Sequence, residues 1–249
     1  EARWLDKSEQ DRLNEILAEE DKSRNDAPLS QVIRMPQLWI MMIFWFLVVV
    51  GVYGINFWLP TLITETGLQA GSTVGFLSAI PYFFCAIVMI VVARHAEKHA
   101  VKHSVIAWAA ILGGGGLVAG AYLGHSGVVM TIITMSIAMT GAMTASALFW
   151  SLPGTMLSGR AVAAAVAAIN SIGNIGGFTG PSILGLVQDY TGSAETGLLI
   201  LGIALVIAGV LAATVLSNYA RATKAAKSLP HASSDVTPPV VDQHGSSET

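Results

Sequence analysis

The residues best suited to bind a small solute are two asparagines, Asn170 and Asn174, in the sequence Ala-Ile-Asn-Ser-Ile-Gly-Asn-Ile-Gly-Gly-Phe-Thr-Gly-Pro. They are four residues apart and therefore share one face of a helix. An amide buried without a hydrogen-bond partner costs about 2–7 kcal/mol, so each must face a polar cavity or a neighbouring helix. Glycines at small-xxx-small spacing lie among them, which lets helices approach closely or bend beside a cavity. These glycines are Gly173, Gly176, Gly177 and Gly180.

A second set of candidate ligands lies in two other apolar stretches. Tyr53 and Asn56 are three residues apart and share a helix face, and Asn56 again faces either a cavity or another helix. Trp150 offers an amphipathic ring that can stack on a ligand or line a gate, or can instead anchor a helix at a membrane interface. We predict that Tyr53, Asn56, Trp150, Asn170 and Asn174 contact a substrate.

One short motif suggests an enzyme, but its parts do not support catalysis. Gly124-His125-Ser126-Gly127 has the Gly-x-Ser-Gly pattern of a serine hydrolase. A serine nucleophile needs a general base within hydrogen-bond reach, whereas every histidine lies in a predicted loop or in the tail. These are His95, His99, His103, His125, His231 and His244. We predict no catalytic residues.

No metal site is predicted either. His95, His99 and His103 have helical spacing that a metal can use, but they alternate with cationic residues, which favours a solvated basic face. Those residues are Arg94, Lys98 and Lys102. The single cysteine, Cys85, lies in an apolar run and is expected to be a small buried hydrophobic residue.

The elements that must position these residues are transmembrane helices. Hydrophobic residues make up 53% of the 249 residues and charged ones only 12%, and a span needs about 20 apolar residues. Five runs without Asp, Glu, Lys or Arg are long enough: residues 35–64, 66–93, 104–159, 161–188 and 196–220. The third run is long enough for two helices and contains the turn sequence at 124–127. The sequence therefore predicts six spans.

The distribution of the Lys and Arg residues predicts the orientation. All thirteen lie in the N-terminal segment, in the second-to-third or fourth-to-fifth connection, or in the tail. Cytoplasmic loops carry an excess of such residues, so both ends are assigned to the cytoplasm. The membrane itself is expected to be the plasma (inner) membrane. We expect three regions: a cytoplasmic linker at 1–34, the six-helix bundle at 35–220 and a disordered cytoplasmic tail at 221–249.

The flanking segments and the charge pattern argue against an N-terminal signal peptide and against nucleic-acid binding. The opening segment is polar, unlike a signal peptide, and the chain begins at Glu1, so we expect a piece of a longer protein. No basic patch typical of nucleic-acid binding is present.

Four motifs together resemble the anion:cation symporter family of the major facilitator superfamily, the phthalate, tartrate and hexuronate-type carriers. They are Ala-Arg-Trp-Leu at 2–5, Phe-Trp-Leu-Pro-Thr at 57–61, Gly-Phe-Leu-Ser-Ala-Ile-Pro-Tyr at 75–82, and Ile-Asn-Ser-Ile-Gly-Asn-Ile-Gly-Gly-Phe at 169–178. The resemblance implies an all-α membrane protein whose six spans are helices seven to twelve, the C-terminal half of a twelve-helix fold. The other half would precede Glu1.

The resemblance also implies a function. It implies proton-coupled symport of a small organic anion, a carboxylate or sugar acid, by alternating access between two halves. No cofactor is expected, since the proton gradient supplies the energy. The expected partners are the organic anion, the lipid bilayer and the N-terminal six-helix half of the same carrier. Alternatives are a facilitator or exporter of a related metabolite, and a non-transporting six-helix receptor or scaffold.

The resemblance assigns roles to several of these residues. Tyr53 and Asn56 match the family's seventh-helix contact region, Trp150 a tenth-helix aromatic, and Asn170 an eleventh-helix amide that looks like a substrate ligand.

One departure concerns the gate between helices eight and nine, where the superfamily usually has an Asp-Arg motif. Here Glu97 and Lys98 stand in those places, after Arg94. The carboxylate is one methylene further out, and Lys cannot form a bidentate fork. We predict gating roles for Arg94, Glu97 and Lys98.

Overall fold

The computed structural model describes residues 33–69, 71–99, 101–156 and 160–216, together with Asp6, Arg12 and Glu15. Within these residues the chain forms six long helices: α1 Pro36–Glu65, α2 Ser72–Lys98, α3 Lys102–Leu123, α4 Val128–Phe149, α5 Arg160–Thr191 and α6 Glu195–Leu211. Each is long and apolar enough to cross a bilayer. The prediction of an all-α protein with six spans is therefore confirmed.

The long charge-free run divides where the turn sequence predicted. A 3₁₀ turn at Gly124–Ser126 separates α3 from α4. A one-turn helix follows at Pro153–Met156, and a π-helical turn at Ala212–Leu216 extends α6. The helix α2 continues past the end of its charge-free run to Lys98, because charged residues stop a membrane span but do not stop a helix.

The two ends of the bundle differ in charge. We call the end where α1 and α3 begin and α2 ends the basic end, because Arg94, Lys98 and Lys102 lie there. The other end carries the α1–α2, α3–α4 and α5–α6 connections. The described residues at the opposite end contain no Lys or Arg.

The centre of the bundle is α1, which packs against α5, α6 and α4. Glycines of α5 make the α1–α5 contact close. A Cβ added at Gly176 would lie 2.8 Å from the carbonyl oxygen of Phe46, and one at Gly180 would collide with that of Val50. Small residues allow this backbone approach in membranes, where packing drives helix association.

The glycine run of α3 also serves packing, as the sequence indicated. A Cβ at Gly113 would lie 2.8 Å from the backbone nitrogen of Ala142 on α4, and one at Gly114 would lie 2.5 Å from the carbonyl oxygen of Gly202 on α6. A Cβ at Gly115 would meet no atom within 4 Å. Consecutive glycines thus face two different helices and open space.

The helix α2 is the most loosely held of the six, with four buried residues: Val74, Pro81, Cys85 and Ala96. It packs mainly on α4. Cys85 is buried at 4% exposure, which confirms the expectation for this residue. The rest of α2 remains open to lipid or to another body of protein.

The flanking regions lie almost wholly outside the described residues. The linker at 1–34 is represented by Asp6, Arg12, Glu15, Ile33 and Arg34, and the tail at 221–249 lies outside altogether. The predicted division into three regions therefore stays a prediction.

Candidate functional site

One hydrogen bond between spans joins a predicted site residue to one that the sequence analysis did not select. The Tyr82 hydroxyl of α2 donates to Oδ1 of Asn56 on α1 at 2.6 Å. Tyr82 could have been found from sequence, because a phenol within a charge-free span needs a polar partner. Asn56 is half-buried. Its Oδ1 accepts from Tyr82, and its amide nitrogen makes no hydrogen bond to the part of the chain that the structure describes.

Tyr53 extends this polar line from α1 to α5. Its side chain is 44% exposed, and a Cβ added at Gly177 would lie 3.6 Å from its ring carbons. The ring therefore lies over the backbone of α5, at a distance where a Cβ would make ordinary van der Waals contact with it. Gly177 is three residues after Asn174 and seven after Asn170, spacings that share one helix face.

Asn170 and Asn174 are both exposed on α5. Among the described residues neither amide has a hydrogen-bond partner. The neighbouring Gly173 and Gly176 are buried on the other side of the helix, where they face Trp45 and Phe46 of α1. The glycines thus attach α5 to the bundle, and the two asparagines lie on its outer face rather than between α5 and α1.

Trp150 belongs to an aromatic cluster immediately after α4. Its ring lies 4.7 Å from that of Trp45 in an edge-to-face arrangement, while Phe149 stacks on Trp45 at 5.2 Å. Trp45 also contacts the position of Gly173 on α5. Trp150 is half-buried, and Trp45 stands between it and the amides of α5. Nothing in its apolar sequence context distinguished Trp45.

The predicted substrate-contact residues differ in how closely the structure connects them to one another. Tyr53, Asn56 and Asn174 are linked through direct contacts or one helical turn, with Tyr82 added. Asn170 lies one turn of α5 closer to the basic end. Trp150 connects to them through Trp45 alone.

The predicted gating residues lie at the basic end, and all three are exposed. The ion pair of Glu97 is with Lys102, at 3.3 Å between Oε1 and Nζ, instead of with its neighbour Lys98. Since the Glu97 side chain is 75% exposed, this pair contributes only about 0–1 kcal/mol to stability.

A separate polar cluster at the opposite end was not predicted. The Gln188 amide of α5 donates to Glu65 Oε1 of α1 at 2.9 Å, and His125 pairs with Glu195 at the start of α6. A cavity of about 190 Å³ lies among Glu65, His125 and Glu195. The partners are distant in sequence, so no local pattern indicated them. The described residues contain no group of three or more His, Cys, Asp or Glu that could hold a metal.

A comparison with protein families shows which family the chain belongs to. The family model described as Major Facilitator Superfamily matches residues 2–181. The chain belongs to the Major Facilitator Superfamily. This agrees with the superfamily that the four sequence motifs resemble.

Relatives within the Major Facilitator Superfamily match most of this chain. It is 34% identical over 212 residues to a putative tartrate transporter of Agrobacterium vitis, covering 84% of the chain and 46% of the relative. It is 30% identical to the quinolone resistance transporter of Acinetobacter baumannii, covering 88% and 51%. It is also 30% identical to the putative metabolite transport protein NicT of Pseudomonas putida, covering 84% and 49%.

The chain spans about half the length of the curated relatives it matches. Six spans in half the length agree with the expected half of a twelve-helix fold. The relatives are named as transporters, in agreement with the expectation of a protein that is not an enzyme.

Proposed function

We propose that this chain is the C-terminal half of a secondary transporter that imports a small organic anion, a carboxylate or sugar acid, together with protons. The carrier lies in the plasma (inner) membrane with both ends of this half in the cytoplasm. The names of its relatives support a carrier of small metabolites, and the tartrate transporters among them favour an organic acid. The orientation rests on the one-sided distribution of Lys and Arg.

The observation that carries the proposal is the polar line across three helices. Tyr82 bonds to Asn56, Tyr53 lies on Gly177, and the exposed amides of Asn174 and Asn170 continue along α5. Amide and phenol groups offer neutral hydrogen bonds to carboxylate and hydroxyl oxygens. Exposed amides within a charge-free span are costly unless a polar partner or a water-filled cavity meets them.

The absence of charged residues along the polar line is consistent with charged groups being supplied by the other half of the carrier. The parts of the spans that carry the polar line contain no Asp, Glu, Lys or Arg. A carboxylate held there needs a cation, and proton coupling needs a titrating group. Both would come from the N-terminal half, with the substrate held between the halves and exposed to each side in turn.

Within this half, the geometry suggests which parts move together. The close glycine contacts fix α5 to α1, so Tyr53 and Asn174 would move as one unit during the alternation. In contrast, α2 is held by few buried residues and by the Tyr82–Asn56 bond. We propose that α2 adjusts around the substrate while Arg94, Glu97 and Lys98 at its basic end form part of the gate.

The test is transport by the full carrier in proteoliposomes. Uptake of labelled tartrate and other dicarboxylates, sugar acids and aromatic acids is measured with and without an inward proton gradient. Accumulation of one class that needs the gradient and stops with a protonophore is the expected result. Uptake of the same solute at the same rate without a gradient would contradict proton coupling.

A second candidate is export of a drug or metabolite, favoured by the 30% identity to a quinolone resistance transporter. Inside-out vesicles distinguish the two, because an exporter accumulates a fluoroquinolone in them while an importer of organic acids does not.

A further inference from the structure

A groove on the outer surface of the bundle lies away from the polar line. It runs between α2, α3 and α4 and has a volume of about 380 Å³. Its walls are almost entirely apolar, with Phe84, Val88 and Val92 on α2 and Val105, Trp108 and Leu112 on α3. Trp108 and Leu112 are 64% and 60% exposed, so the groove opens outward.

Basic side chains stand at one mouth of this groove. On α2 the stripe of Val88 and Val92 continues, at helical spacing, into His95 and His99, whose rings are 4.4 Å apart. On α3, Lys102 lies three residues before Val105, on the same helix face. The exposed Arg94 and Lys98 lie beside them, and Glu97 offers a single carboxylate in return.

The floor of the groove is formed by α4 and is apolar on its surface, although a threonine lies there. Thr144 of α4 lines the groove and is 2% exposed, and its Oγ1 has no hydrogen bond to the residues that the structure describes. A buried hydroxyl needs an acceptor. Hydroxyls in these spans can bond to a carbonyl oxygen of their own helix, as Ser136 does to Ile132, and Thr144 Oγ1 is sealed from the groove. The groove therefore offers an acyl chain an apolar floor.

The length of the groove matches the thickness of the hydrocarbon region of one membrane leaflet. On the α3 side, the lining runs from Val101, immediately before α3, to Leu112, eleven residue steps or about 16 Å at 1.5 Å per residue. That is about half of the roughly 30 Å hydrocarbon core. The basic mouth therefore lies at the depth of a headgroup when the apolar walls lie at the depth of an acyl chain.

We propose that this groove binds an acyl chain of an anionic phospholipid from the leaflet at the basic end. The phosphate lies among Lys102, His95 and His99, and the acyl chain lies along the apolar walls of α2 and α3. The site is independent of the substrate and of the direction of transport.

Trp108 provides a reporter for the test. The purified protein in neutral detergent is titrated with phosphatidylglycerol or phosphatidylcholine whose acyl chains carry bromine, which quenches nearby tryptophans. Phosphatidylglycerol should quench at a lower mole fraction than phosphatidylcholine. This difference should disappear in Trp108→Phe, which removes the reporter and leaves the groove.

Two variants then separate headgroup from chain. Lys102→Gln should raise the half-quenching fraction of phosphatidylglycerol about fivefold, the expected effect of one cationic charge near the headgroup, while the matched control Arg34→Gln should change it less than twofold. Val88→Phe, which narrows the apolar part of the groove, should raise the half-quenching fraction of both lipids alike. Each variant is first checked for a single symmetric peak on size exclusion.

Two results would overturn the proposal. Equal quenching of Trp108 by the two lipids, unchanged in Lys102→Gln, would show ordinary boundary lipid. No quenching of Trp108 by either lipid in the full carrier would show that protein fills the groove instead.

Discussion

Removing the Tyr82 hydroxyl should weaken the attachment of α2 to the bundle by a measurable and predictable amount. The phenol donates to Asn56 Oδ1 at 2.6 Å, a short distance for an O–H···O bond. Hydrogen bonds between membrane helices contribute about 0.6 kcal/mol on average and up to about 1.7 kcal/mol. Because this bond is short, we expect a coupling of about 1 kcal/mol, above that average. It matters for α2, which has only four buried residues.

A double-mutant cycle measures this coupling. The single variants Tyr82→Phe and Asn56→Leu and the double variant are unfolded from mixed micelles, and the free energies of unfolding are compared. The control is Tyr122→Phe on α3, whose side chain is 69% exposed and whose hydroxyl has no partner among the described residues. A coupling energy near zero, with Tyr82→Phe no worse than Tyr122→Phe, would refute the bond as a structural link.

Three further predictions concern packing and surface charge. Gly113→Ala should lower the free energy of unfolding by about 1–3 kcal/mol, because its Cβ meets the α4 backbone. In contrast, Gly115→Ala should raise it by up to about 1 kcal/mol through helix propensity. Thermal unfolding in detergent compares the two variants, and equal effects would refute the packing of Gly113 on α4. Gly180→Ala should separate α5 from α1 and lower both the melting temperature and uptake, and normal uptake at a normal melting temperature would count against the close contact. Glu97→Gln should change stability by less than about 1 kcal/mol, because its pair with Lys102 is exposed; a larger loss in the same melting assay would show a buried role.

The fold was predictable because a bilayer leaves few alternatives. A charge-free run of about 20 residues must form a helix that satisfies its own backbone, and the glycines at 124 and 127 marked the division of the long run. The sequence did not show which neighbouring helix each helix face packs against. Gly113 and Gly114 are identical and adjacent, yet they pack against different helices.

The candidate site was only partly predictable. Amides in apolar runs stand out by their cost, which is why Asn56, Asn170 and Asn174 were found. Tyr82 carried a signal that was not used, because a phenol in an apolar span needs a polar partner. Trp45 carried none, because a tryptophan in an apolar run fits lipid, core and cavity equally well. Their roles depend on contacts between helices that are far apart in sequence.

The most direct test of the account is uptake by Asn170→Ala in the reconstituted full carrier, expressed per folded molecule. Loss of one hydrogen bond to a charged substrate costs about 1.5–3 kcal/mol, so uptake at low substrate concentration should fall about tenfold or more. The control is Ser171→Ala, an exposed neighbour whose hydroxyl bonds to its own helix at Ala167. We expect normal folded yield for both variants and a loss of uptake for Asn170→Ala alone. A collapsed yield of Asn170→Ala with unchanged uptake per folded molecule would contradict it.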